Sequence, residues 1–213
     1  MAYTTYTKVA LLTNISTSDI SNANITSIIS EATKELNRMI NTKVVRERIY
    51  YIDTTRKNTL DGSNTTFYVR NWEGKYLADM DNDGDVDTSD VIVYQVDSDG
   101  VETELTVSSI THDEGKIVLS SAPDVGVRLY ATYEWCYKDV STPDPLVELA
   151  CTLLSAAYCY AKLNIGRAPQ FFVGNKKIYR HMDSFQHFYD RAIGVIEKIN
   201  DRMYECADST ETF

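Results

Sequence analysis

VVRERIYYID, residues 44–53, is where this chain changes character. The stretch alternates in polarity and is rich in β-branched and aromatic residues, which suits a pleated, half-buried surface and predicts a strand. What precedes it has another period. Ile25, Ile28, Ile29, Ala32, Leu36, Met39 and Ile40 recur at steps of three and four, the stripe of an amphipathic helix, with Asn22 or Asn24 as its cap. Near position 44, helix gives way to sheet.

Downstream the strand signals repeat at short intervals. LDGSNTTFYVR (60–70) places an Asp-Gly turn before a strand, and DVIVYQV (90–96), VDSDGVETELTVSSI (96–110), HDEGKIVLSS (112–121) and VGVRLYATYEWCY (125–137) follow, with turns at Asp99-Gly100 and Glu114-Gly115. Residues 44–137 therefore read as a compact antiparallel module. Pro143 and Pro145 mark a return to helix, because their fixed φ and missing donor suit a first turn, and Val147, Ala150, Cys151, Leu154, Ala157, Tyr158 and Ala161 share a face. Asn164-Ile165-Gly166 is a helix stop, and RAPQFFVGNKKIYRH (167–181) reads as a connector. A last helix, capped by Asp183 or Ser184, buries Phe185, Phe188, Ala192, Val195, Ile196, Ile199 and Met203; the tail ECADSTETF (205–213) has no period.

The expected fold is α+β: a bundle of about three main helices with an inserted antiparallel β-module. Residues 1–43 with 138–205 form the helical domain, 44–137 the β-domain and 206–213 a C-terminal docking arm.

Composition narrows the function classes. An apolar fraction of 43 % supports a core, and a formal net charge of −10 argues against wrapping nucleic acid, which needs clustered Lys and Arg. Cys136, Cys151, Cys159 and Cys206 show no metal spacing and read as reduced core residues. No basic region followed by an apolar run opens the chain, and the apolar segment 146–161 is interrupted by Glu148 and shorter than the roughly 20 residues a bilayer needs. No membrane association is expected.

One segment carries an unusual charge density. DMDNDGDVDTSD (79–90) has six aspartates in twelve residues, and carboxylates so close repel one another unless water or a cation intervenes. It fits a calcium loop by position: Asp79, Asp81 and Asp83 first, third and fifth, Gly84 sixth at the sharp turn, Asp85 seventh through its carbonyl, Asp87 ninth and Asp90 twelfth. The twelfth place holds Asp rather than Glu, and the flanks read as strand, so a structural calcium ion would staple a hairpin or strand crossing. An empty acidic turn is the other reading.

Remaining motifs are weak. His112, His181 and His187 lack ligand spacing, no nucleotide or hydrolase signature occurs, and Glu102 with Glu104 reads as a solvated strand face. Arg46 and Arg48, and Lys176, Lys177 and Arg180, form either solvated surface or a patch for an acidic partner. Fifteen tyrosines, with Trp72 and Trp135, supply candidate interface anchors.

The order of parts resembles the head-tail adaptor, or connector, proteins of tailed viruses. The resemblance is carried by TSDISNANITSIISEATKELNRMIN, by the β-segment opening with IYYIDTTRKNTLDGSNTTFYVR and closing with GKIVLSSAPDVGVRLYATYEW, and by PDPLVELACTLLSAAYCYAKL. It implies a non-enzymatic virion protein, located at the neck after assembly in the host cytoplasm. Such proteins form a homo-oligomeric ring, usually a dodecamer, that binds the portal protein and a downstream neck or tail protein while DNA passes through without specific binding. The alternative expectation is a calcium-dependent binding module for carbohydrate or a host surface.

Overall fold

The computed structural model describes residues 3–50, 52, 54–70, 74–164, 170–173, 176–179 and 183–208; for 164, 170–173, 176–179, 183 and 201–208 the description is of the backbone. It is mixed α and β, with antiparallel sheets. The chain divides into two units, Ile40–Pro143 and Ala2–Met39 with Asp144–Phe213.

In the second of these, α1 (Tyr6–Thr13) is capped by the Thr5 hydroxyl and ends at Asn14, whose φ of 54° is the left-handed turn that closes a helix. α2 (Asn22–Ile40) buries Ile25, Ile29, Ala32, Leu36 and Ile40, while Ile28 and Met39 of the expected stripe are half-buried. Its cap is Ser21, whose hydroxyl accepts from Asn24 N–H, and not Asn22 or Asn24. α3 (Pro145–Asn164) starts with proline at its first position, and the Asp144 carboxylate accepts from Leu146 N–H at 2.8 Å. At 20 residues it is longer than the 146–161 segment read from the sequence, and long and apolar enough to cross a bilayer. Within the fold, Val147, Ala150, Leu153, Leu154 and Ala157 are buried against protein.

α4 (Asp183–Asp208) packs along α3, with Tyr160 and Phe188 stacked at 5.5 Å. Ala192, Ile196 and Ile199 are buried as expected, and Val195 is half-buried. Polar contacts tie the segment before α1 to the helices and α4 to α2: Tyr3 Oη donates to Asn37 Oδ1 at 2.6 Å, Thr4 and Thr152 hydroxyls meet at 2.7 Å, and Asn200 Nδ2 donates to Met39 O. Two sequence expectations are corrected here. The 167–181 connector contains an antiparallel strand pair, Gln170–Val173 against Lys176–Tyr179, and residues 206–208 of the expected arm are the last turn of α4. Residues 209–213, Trp72, Arg180 and His181 lie outside the described residues.

The other unit holds β1 (Thr42–Ile49), β2 (Thr66–Tyr68), β3 (Tyr76–Leu77), β4 (Val91–Val96), β5 (Glu102–Leu105), β6 (Val107–Thr111), β7 (Lys116–Leu119) and β8 (Arg128–Cys136). One sheet runs β1-β8-β4-β5 with β3 also on β8, and a second runs β2-β7-β6; all pairs are antiparallel. Alternation decides which faces meet. Val91, Val93, Leu129, Ala131 and Tyr133 from the first sheet and Phe67, Ile117 and Leu119 from the second form one buried cluster. Each buried Val, Leu, Ile or Phe among them contributes about 1.5–3 kcal/mol by leaving water. Asp99-Gly100 and Glu114-Gly115 fall at turns as the sequence predicts, with Gly100 at φ 83°, a conformation that favours glycine.

Candidate metal centre

The aspartate segment is placed by the register around it. Leu77 on β3 is opposite Trp135, Ala78 N–H donates to Glu134 O at 3.0 Å, and Val91 on β4 is opposite Tyr133. Positions 78 and 91 are therefore consecutive along one strand line beside β8, and the twelve residues between them are looped out of it. The strand flanks read from the sequence are present. A single 3-10 turn, Thr88–Asp90, returns the chain to β4, and Val86 packs on the core from the middle of the excursion.

Asp79 and Asp90, at the base of the loop, are each 1 % exposed. Asp79 Oδ2 accepts from Gly84 N–H at 3.0 Å, which draws the sixth residue back over the first. Gly84, with φ 98°, makes that turn without the clash a Cβ would bring, and Asn82 sits beside it at φ 62°. Asp81 Oδ1 accepts from Asp83 N–H, and Asp83 Oδ1 from Asp85 N–H, so each aspartate caps the residue two ahead. The result brings oxygens of Asp79, Asp81 and Asp83 within 4.8 Å of one another. Three carboxylates with no nitrogen or sulfur donor suit a hard divalent cation, which could be held there.

The other three expected ligands lie outside that trio. Asp85, expected to bind through its backbone carbonyl, is exposed, as Asp81 and Asp83 are. Asp87 Oδ1 caps the 3-10 turn, accepting from Ser89 N–H at 2.8 Å, and those hydrogen bonds hold its carboxyl below the usual range. Asp90 ties the loop shut: Oδ1 accepts from Met80 N–H and Asp81 N–H, and Oδ2 from Asp87 N–H at 2.8 Å. Burial pushes its carboxyl up to about 7, against those same hydrogen bonds and with the Asp79 charge adding to the rise. Burial also raises Asp79, helped by Asp81 and Asp83. Two buried carboxylates are thus costly to ionise, a cost that a bound cation would offset.

Two residues act on the loop that sequence reasoning missed. Ser89 Oγ lies 2.8 Å from Asp81 Oδ2 and 2.7 Å from Asp87 Oδ1, bridging the two halves. Asn41, just after α2, donates from Nδ2 to Asp79 O and to Glu134 Oε2. Ser89 stands at the eleventh loop position, where a serine beside the last ligand is a readable signal; Asn41 is 38 residues away and gives none.

No protein-family model matches this chain, and no curated protein does.

Elsewhere, Cys136, Cys151 and Cys159 are free and buried, and burial pushes their thiols up to about 12, 11 and 11. His112 Nε2 lies 3.0 Å from Ser141 Oγ and 3.5 Å from Asp139 Oδ1. Arg46 sits at a β-bulge with φ 57° and forms a two-pronged ion pair with Glu102 at 2.5 and 2.9 Å, its guanidinium 5.5 Å from the Tyr130 ring. One member of the basic patch is therefore engaged by the chain itself.

Proposed function

We propose that this chain is a structural, non-enzymatic protein of a tailed virus that assembles as a ring between the capsid portal and the neck or tail. The observation that carries the reading is the division of the chain: helices from both ends belong to one unit, and residues 40–143 leave it and return. A helical bundle closed by both ends, with an inserted β-module, is the arrangement expected of a head-tail adaptor. Helices packed in this way offer a lateral surface to identical neighbours. Leu11, Leu12 and Leu149 are exposed beside an apolar groove of about 470 Å³ on the helical unit, surface that neighbouring subunits would cover. An acidic protein lining a channel lets DNA slide without adhering, and the net charge of −10 suits that role.

In this reading the loop at 79–90 holds a calcium ion through Asp79, Asp81 and Asp83, and the ion has a structural role. It stiffens an excursion that interrupts the strand line beside β8. Electron microscopy of the purified protein tests the assembly: closed rings, or co-purification with the portal, are expected, and a monodisperse single chain would contradict it.

A polar cleft of about 610 Å³ in the β-unit, lined by Lys57, Asp61, Asn64 and Tyr68 among others, favours the second reading of a calcium-dependent carbohydrate or surface binder. Glycan binding that chelator abolishes, by a protein that stays monomeric, would select it.

A further inference from the structure

Three strands of the five-stranded sheet have one neighbour each: the short β3 and β1 pair with β8, and β5 pairs with β4. Leu77 N–H of β3 donates to His112 O on its other side, and β1 and β5 are the two ends of the strand path. Each outer edge is a row of backbone donors and acceptors available to another strand. The edges differ in sign. β1 exposes Lys43, Arg46 and Arg48, while β5 exposes Glu102 and Glu104. Arg46 and Glu102 are spent on each other, whereas Lys43, Arg48 and Glu104 make no ion pair among the described residues.

One row crosses the sheet from edge to edge. Arg48 is opposite Tyr130, Tyr130 is opposite Tyr94, and Tyr94 is opposite Glu104, so all four side chains stand on one face. The row begins with a cation and ends with an anion. The path β1-β8-β4-β5 also has an even number of antiparallel strands, so its two edges run in opposite directions.

We infer that these edges are the two halves of one joint, in which β5 of one copy of this chain pairs antiparallel with β1 of a second copy and sets Glu104 against Arg48. The inference rests on the ring reading above and adds which surface closes it. Like edges do not fit: β1 on β1 opposes cations, and β5 on β5 opposes carboxylates, each destabilising directly across strands. Charges that only kept edges apart would carry one sign on both. Opposite signs allow a head-to-tail contact alone, and such a contact generates a ring or a filament instead of a two-fold dimer.

The test is light scattering on the full chain, with Arg48→Glu, Glu104→Arg, their 1:1 mixture and the double variant. The parent assembles, each single reversal loses the assembled species, and the mixture and the double variant both regain it, since reversed edges complement each other. Raising salt shifts the parent toward smaller species. Circular dichroism checks that the exposed substitutions leave the fold unchanged; if a reversal does not fold, Arg48→Gln and Glu104→Gln carry the test, each weakening assembly. A parent that assembles with both reversals intact overturns the joint and leaves the ring reading standing. A parent that remains a single chain at every concentration overturns both.

Discussion

Two acidic segments flank β4. Residues 97–100, Asp-Ser-Asp-Gly, turn β4 into β5, and there Asp97 Oδ1 accepts from Asp99 N–H and Val101 N–H at a site open to water. Residues 79–90 lead into the same strand from the other end, but bury Asp79 and Asp90 and bring three carboxylates within 4.8 Å. Both are dense in aspartate, and in both the side chains cap backbone N–H groups. The difference is burial. A solvated aspartate turn needs no counter-ion, whereas burial raises the carboxyls of Asp79 and Asp90 and gives a cation something to stabilise.

The largest effect should separate the two capping aspartates. Asp90→Ala strips the acceptor from three part-buried loop N–H bonds and should cost about 2–4 kcal/mol in denaturant unfolding with or without calcium. Asp97→Ala exposes its partners to water that can replace it and should cost about 1 kcal/mol or less. Equal costs would erase the contrast.

Next in size is the cation itself. At a hundredfold excess over its dissociation constant, calcium should add about 2.7 kcal/mol to the parent. Asp83→Ala loses one exposed cap to Asp85 N–H and should cost about 1 kcal/mol or less in chelator, yet gain nothing from calcium. A variant that still responds would move the site away from the three converging carboxylates.

A smaller effect follows from Asp90 titration. Its folded carboxyl is raised to about 7, above its unfolded value, so the folded state binds more protons between the two. In chelator, the parent should therefore lose stability relative to Asp90→Asn as pH rises from about 4 to about 7, and the melting difference between the two should shift in that direction. Calcium, which favours the ionised loop, should reduce the shift. A difference that is flat across this window would mean that Asp90 is not strained by ionisation.

The smallest change should come from Asp99→Asn in the solvated turn, where no calcium dependence and a stability change within about 0.5 kcal/mol are expected. A calcium response there would show that charge density alone, without burial, is enough.

Much of the architecture was legible because it rests on periodicity. The stripe from Ile25 to Ile40 and the alternation from Val44 onward specify α2 and the sheet, since both faces must find the core. α1 was not anticipated: YTKVALLT is one short helix of eight residues, whose start depends on the Thr5 cap more than on a long stripe. The strand pair 170–179 was missed although two apolar runs, QFFV and KIY, are close enough for a hairpin; neighbouring Gly and Pro outweighed that signal. At the loop, the convergence of the Asp79, Asp81 and Asp83 carboxylates was readable from their one-three-five spacing, because alternate positions of a tight loop turn toward one point. The capping role of Asp90 and the hold of Asn41 were not, because they depend on a register between β3, β4 and β8 that single positions do not encode.

The most direct measurement is calorimetric titration of the purified chain with calcium at pH 7.5, after exhaustive chelation. One ion per chain, with binding lost in Asp83→Ala, is the result expected if buried carboxylates make this loop a cation site. No heat of binding in the parent, together with identical melting in calcium and in chelator, would contradict it.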